Sequence, residues 1–269
     1  MKKSVKAPDD KNAKSDLPAG AIPHQYIEIT GDESSVVDGG VIDEVLVSIY
    51  VNVEEIATIM CSPVDEEALA IGFLYNEHLI ETMGDIAYLK MNANRTVADV
   101  FLQQSDMKLS RRLVITSGCG GGFATLSQQY EPLKSDFRID ASTIFARMRD
   151  LRGEAHLYNA VRGVHTAVLA DSERILIAAE DVGRHNTIDK IGGKALQQNI
   201  DTGDKLLLAT GRISSEMVHK ARRMSIPVVI SRTAPTRLAV ELAIVWNICL
   251  VGYVRQNSLR VYTMPERIR

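Results

Sequence analysis

The sequence predicts an α/β fold, with a layered C-terminal unit preceded by a smaller α+β unit. Three observations predict it. From about Asp136 onward, strand-like and helix-like segments alternate regularly. Runs such as LLLAT (206–210) and VVIS (228–231) are unbroken by polar residues, as in strands covered on both faces of a largely parallel sheet. Between the two textures lies Ser117–Phe123 (SGCGGGF), where four glycines in seven residues exclude a stable helix or strand interior.

The elements follow in order. Residues 1–24 are rich in Lys, Asp, Ala and Pro and lack apolar periodicity, so they read as a disordered arm. Residues 25–135 form the α+β unit. In it, Val41–Val53 alternates and gives one or two strands, and Ala57–Cys61 gives the next. Leu69, Phe73 and Leu74 fall at helical spacing within a helix over Asp65–Leu79, with Asp65 as its cap. Short β-like runs follow at Ile86–Met91, Val97–Leu102 and Arg111–Thr116. In residues 136–269, helices are expected at Ala141–Leu151, Asn186–Gln198, Ser214–Met224 and Thr236–Trp246. Strands are expected at Thr166–Asp171, Ile175–Glu180, Lys205–Thr210, Pro227–Ser231 and Ile248–Val254, with a last one near Arg260–Thr263.

Composition removes several classes. Lys+Arg 31 against Asp+Glu 34 gives a net charge of -3, which provides no general field for nucleic acid. Three widely spaced cysteines, Cys61, Cys119 and Cys249, do not make a disulfide framework. The N-terminus has lysines but no apolar stretch behind them, unlike a secretory signal. The longest mostly apolar stretch, Leu238–Val254, is interrupted by Glu241 and Asn247 and is too short to span a bilayer. A cytoplasmic globular protein with reduced thiols is expected.

Cys119 is the leading candidate for chemistry. Cys61 and Cys249 sit in apolar runs, as buried cysteines do, whereas Cys119 sits among glycines whose N–H groups can turn toward a thiolate. The alternative is an incidental cysteine in a flexible loop. Glu180–Lys190 (EDVGRHNTIDK) follows a strand at the mouth of a helix, where Arg184 and the helix N-terminus favour an anion. His185 there is a base, a donor, a ligand or a structural residue. Arg212, Arg232 and Arg237 complete the polar strand ends and suit a phosphate-bearing ligand, while Ser214 and Thr236 sit where N-caps belong. His165 and Cys119 do not complete a zinc site: there is no C-x-x-C pair, and His165 is followed by Thr166 and Ala167 rather than by the glutamate of zinc deaminases.

These motifs resemble a known family. GCGGG, RGVHTAVL, EDVGRHNTIDKIGG, TGRISSEMVHKA, SRTAPTRLAVELA and LRVYTMPERI are similar to those of the formate dehydrogenase accessory sulfurtransferases of the FdhD type, over about Ile42 to Ile268. The resemblance implies a C-terminal cytidine-deaminase-like three-layer α/β/α domain without the deaminase metal site. It implies a cytoplasmic sulfur carrier, commonly a homodimer. Such a carrier takes sulfur from a cysteine desulfurase as a persulfide on Cys119. It passes the sulfur to the molybdenum bis-molybdopterin guanine dinucleotide cofactor, or its tungsten counterpart, before insertion into formate dehydrogenase. The family's pterin-dinucleotide segment maps onto Leu259, Arg260, Val261, Tyr262, Thr263 and Met264. From their places at the strand ends, Arg184, His185 and Arg232 are expected to hold the same cofactor. The family's loop is Cys-Gly-x-Cys; the second cysteine falls on Gly122 here. A shuttle between two loop thiols is thereby excluded, and a chaperone that delivers the cofactor without moving sulfur stands as the alternative.

Overall fold

The computed structural model describes residues 17–104, 113–115 and 130–269. Its first element is a two-stranded ribbon, β1 (Ala21–Thr30) with β2 (Glu33–Ile42). Gly31 opens its two-residue turn at φ 61, the conformation a primed hairpin turn requires. β1 begins inside the segment read from sequence as an arm, so Ala21–His24 is corrected to strand. Residues 1–16 of that arm lie outside the described residues.

The second element is a five-stranded sheet in the order β5-β6-β3-β4-β7. Its strands are β3 (Val45–Val51), β4 (Glu54–Cys61), β5 (Ile86–Met91), β6 (Val97–Leu102) and β7 (Leu113–Ile115). Helix α1 (Glu66–Asn76) packs Leu69, Phe73 and Leu74 onto Val47, Ile49, Ile59 and Val100 of this sheet. Asp65 precedes α1 but does not cap it. Its φ is 57, its side chain makes no cap bond, and its carboxylate pairs with Lys194 at 2.6 Å.

The third element is a six-stranded sheet, built from β8 (His165–Ala170), β9 (Ile175–Asp181), β10 (Leu206–Ala209), β11 (Val228–Ser231), β12 (Cys249–Gly252) and β13 (Arg260–Val261). The order is β13-β12-β11-β10-β8-β9. Only β10, β11 and β12 run parallel; the remaining pairings are antiparallel. The expectation of a largely parallel sheet is therefore corrected to a mixed one. For β8 and β9 the reason is local: Asp171 accepts from the N–H groups of Glu173 (2.8 Å) and Arg174 (2.7 Å), closing a turn too short for any but an antiparallel pair.

Helices cover both faces of this sheet. Alternate residues of a strand point to opposite sides. Leu206, Leu208, Val228 and Ile230 meet Ile144, Met148 and Leu151 of α2 (Ala141–Glu154). Leu207, Val229 and Leu250 meet Ile188 of α4 (Arg184–Gln197), Met217 of α5 (Ser215–Arg223) and Ala239 of α6 (Arg237–Val245). A short helix, α3 (His156–Val161), links α2 to β8. This is the three-layer α/β/α arrangement.

The two sheets are joined through α1 and α4, whose backbones touch. A Cβ on Gly72 would fall 1.7 Å from the Asp189 carbonyl oxygen, and one on Gly193 2.0 Å from that of Ala68. Only glycine fits at this crossing. Beside it, fully buried Lys190 pairs with fully buried Asp181 (2.6 Å) and donates to the Ser62 carbonyl (3.3 Å). No helix among the described residues is long and apolar enough to cross a membrane.

Candidate functional site

The carboxyl ends of β10 and β11 open into a cleft of about 690 Å³. Thr210, Arg232 and Thr233 contribute from the strand ends, and His165 and Thr166 from the start of β8. Arg152, Tyr158, Asn159 and Arg162 close it from α2, α3 and the segment that follows, and Arg255 enters from beyond β12. Four guanidinium groups thus line one cleft. Arg162 stacks over the Tyr158 ring at 4.9 Å, and Arg255 donates to the Arg232 carbonyl at 2.7 Å, so both are held in place. Glu180 fixes α3 at the rim by accepting from Leu157 N (2.6 Å) and Tyr158 N (3.0 Å). Permanently charged forks gathered in this way have the chemistry to pair with phosphate oxygens.

The EDVGRHN segment divides between scaffold and site. Asp181 accepts from Gly183 N (2.7 Å), Asn186 Nδ2 (2.8 Å) and Ser62 N (3.1 Å), so it anchors the turn into α4. Arg184 turns the other way. Its Nε is buried without a partner, and it lies beside His165 across Gly211. A Cβ on Gly211 would come within 3.2 Å of the Arg184 Cβ and 3.3 Å of His165 Nδ1. Burial, reinforced by Arg184, holds the His165 pKa below its usual value.

His185 stands in a separate hydrogen-bonded row. Its Nδ1 lies 3.1 Å from Glu216 Oε2, and its Nε2 lies 2.8 Å from Ser214 Oγ. Burial pushes its pKa down to about 4, so the ring is neutral at pH 7. A carboxylate only accepts, so Nδ1 carries the proton and Nε2 accepts from the Ser214 hydroxyl. Burial raises the Glu216 pKa, but Lys220 (3.3 Å) and His185 outweigh it and keep the carboxylate ionised. Lys220 in turn pairs with Asp189 (2.6 Å), which accepts from Asn76 Nδ2 (2.7 Å). Ser214 also caps α5 by accepting from Met217 N (3.3 Å), and Thr236 caps α6 by accepting from Ala239 N, as the sequence suggested.

Arg232 thus lines the cleft together with His165, whereas Arg184 reaches His165 from behind Gly211 without lining the cleft, and His185 supports α4 against α5. The C-terminal residues are distributed differently, and none of the six lines the cleft. Thr263 is buried, donates to the Ile248 carbonyl (2.7 Å) and accepts from Leu250 N (2.8 Å), which pins the segment to the sheet. Leu259, Val261 and Met264 pack on the α2 side of the sheet, and Tyr262 on the opposite side. Arg260 is exposed and lies over the Tyr253 ring at 4.2 Å.

Cys119 and the loop Ser117–Phe123 lie outside the described residues, but both flanks are visible. β7 runs parallel to β4, with Ile115 opposite Ile59. It therefore heads toward Met60 and Ser62, where Asn186 Nδ2 donates to the Met60 carbonyl at 2.9 Å. At the far flank, Tyr130 packs edge-on against His219 and Trp246, under Arg222, and shares a hydrogen bond with His78. Burial pushes the Tyr130 pKa up to about 12. Cys61 and Cys249 are free and buried, and burial pushes each thiol to about 12, so neither is a nucleophile.

A mixed α/β protein with an arginine-lined cleft at its strand ends is the class these features define. The chain belongs to the FdhD/NarQ family, whose model matches residues 42–269. It is 35% identical over 244 residues to the sulfur carrier protein FdhD of Bacillus subtilis (strain 168), covering 88% of this chain and 93% of that protein. It is 37% identical over 252 residues to the sulfur carrier protein FdhD of Bacillus pumilus, covering 91% and 95%. A crystal structure described as a formate dehydrogenase accessory protein from Desulfotalea psychrophila matches with a TM-score of 0.79 at 26% identity, covering 93% of this chain and all of that one.

Proposed function

We propose that this protein is a cytoplasmic sulfur carrier required for formate dehydrogenase activity. The observation that carries the reading is the coincidence of one thiol set among glycines, Cys119 in SGCGGGF, with kinship to proteins named sulfur carriers. The Cys119 thiolate attacks the outer sulfur of a persulfide on a cysteine desulfurase. The donor's S–S bond breaks, the donor cysteine leaves as thiolate, and Cys119 holds the sulfur as a persulfide. The acceptor is the molybdenum bis-molybdopterin guanine dinucleotide cofactor, bound as substrate. Arg232, Arg184 and the arginines around the cleft hold its pyrophosphates, with His185 steadying α4 and Leu259–Met264 forming a further contact. Cys119 is four Cα–Cα steps beyond Ile115, a maximum chain reach of about 14 Å. The four glycines around Cys119 open backbone conformations closed to other residues, which suits a thiol that must meet both donor and cofactor. The carrier acts as a homodimer.

Cys119→Ala tests the nucleophile. It is expected to abolish activation of formate dehydrogenase while leaving cofactor affinity within about twofold. Retained activation overturns the role of Cys119. A second reading is favoured by Gly122, which stands where the family's second loop cysteine falls. Under it the protein is a chaperone that binds the cofactor and delivers it unchanged.

A further inference from the structure

Arg162 ends α3 in a backbone conformation that side chains avoid. Its φ is 64 and its ψ is -163, a region populated almost solely by glycine. Arginine at this position therefore costs stability that glycine would not. Such strain persists only where the surrounding structure over-determines the backbone. Here it does. The Glu180 carboxylate holds the first turn of α3 through Leu157 N and Tyr158 N, and it also accepts from Thr166 Oγ1 at 3.2 Å. Arg162 N donates to the Tyr158 carbonyl at 2.9 Å, closing the last turn. Val161 rests on β2, where a Cβ on Gly40 would come within 2.8 Å of it.

The strained residue carries a charge that the fold does not use. Among the described residues the Arg162 guanidinium makes no hydrogen bond and no ion pair, and its one partner is the Tyr158 ring at 4.9 Å. The ring covers a face of the guanidinium and leaves its N–H groups to be paired. Arg152, Arg232 and Arg255 line the same cleft, and none of them has a carboxylate partner among the described residues. Like charges gathered without a counter-charge repel one another, and a bound anion relieves that repulsion.

We propose that Arg162 is a clamp on a phosphate of the ligand, that the strained turn is retained for the sake of its guanidinium, and that Tyr158 is the residue that positions it. The inference rests on the phosphate-holding role of the cleft proposed above and deepens it; it is independent of Cys119 and of sulfur transfer.

Calorimetry with inorganic pyrophosphate and urea unfolding, both on the full-length protein, test it. Arg162→Gly and Arg162→Ala each remove the guanidinium. Each is expected to weaken pyrophosphate binding about tenfold or more, on the scale of one lost charge-assisted hydrogen bond. The two variants separate the strain from the charge. At an ordinary helix position alanine is the more stable of the pair. Here Arg162→Gly is expected to be the more stable, with a folding constant about fivefold or more above that of Arg162→Ala. Tyr158→Leu is expected to weaken pyrophosphate binding about threefold, and Tyr158→Phe, which restores the ring, to recover most of that loss. An Arg162→Ala variant as stable as Arg162→Gly overturns the strained turn. Tyr158→Phe binding as weakly as Tyr158→Leu overturns the positioning role of the ring. Unchanged affinity in both Arg162 variants, with Arg232→Ala still weakened, overturns the clamp and leaves the phosphate cleft standing. A native protein that binds no pyrophosphate overturns the phosphate cleft and the clamp with it.

Discussion

Replacing Glu77 by Gln is expected to stabilise the protein above neutral pH and to change it little below pH 4.5. Glu77 follows the last residue of α1, and its Oε2 is buried without a partner. Burial raises its pKa from 4.5 to about 7; nearby Lys220 opposes this, and Asp189 and Glu216 reinforce it. The sign follows from proton binding. Between these two pH values the folded carboxyl holds a proton that the unfolded one has released, so stability falls as pH rises through this window. Each pKa unit corresponds to about 1.4 kcal/mol, so ionised Glu77 costs the fold up to about 3 kcal/mol at pH 8. Glutamine keeps the shape and carries no charge. The assay is urea unfolding of both proteins at closely spaced pH values, reading the difference in stability. The expected difference rises from near zero at pH 4.5 to about 1–3 kcal/mol in favour of the variant at pH 8. A difference that does not change with pH refutes the reasoning.

Other predictions concern the helix crossing and the site. Gly72→Ala is expected to destabilise by about 3 kcal/mol or more in urea unfolding, because its Cβ would sit 1.7 Å from a backbone oxygen. Gly153→Ala, within α2 and with nothing near its Cβ, is expected to be neutral or stabilising by about 1 kcal/mol. The His185 imidazole is expected to show no protonation step between pH 5 and 8 by NMR, with its proton on Nδ1; Glu216→Gln removes an ionic partner and is expected to lower its pKa further. Arg162→Ala and Arg232→Ala are each expected to weaken binding of a guanine dinucleotide about tenfold or more in calorimetry, on the scale of one lost charge-assisted hydrogen bond.

The C-terminal layers were legible because buried strands announce themselves. Leu206–Ala209 and Val228–Ser231 are apolar on both faces, and the caps Ser214 and Thr236 occupy the positions their chemistry demands. The ribbon was not legible, because Pro23 and His24 interrupt its alternation and it covers no core. Sheet polarity was misread because strand runs carry no direction; the short connection at Asp171–Arg174 carried it for the β8–β9 pair alone. Asp65 looks like a cap by residue type, yet its left-handed backbone and its pairing with Lys194 come from the contact between the sheets. In the cleft, Arg232 was visible as a strand-end residue, whereas Arg184 and His185 are not among its lining residues. Arg152 and Arg162 were missed because they bracket α3, whose six residues are too few for a periodic signal. Arg255 was missed because it lies in a turn that only tertiary packing brings to the cleft.

The central claim is that Cys119 carries sulfur. It is tested most directly by incubating the full-length protein with a cysteine desulfurase and cysteine, then weighing its peptides by mass spectrometry without reductant. The account predicts a gain of one sulfur atom on the peptide containing Cys119, and none on those containing Cys61 or Cys249, whose thiols are buried. An unmodified Cys119 peptide from protein that still binds the guanine dinucleotide cofactor would contradict the carrier and support the chaperone.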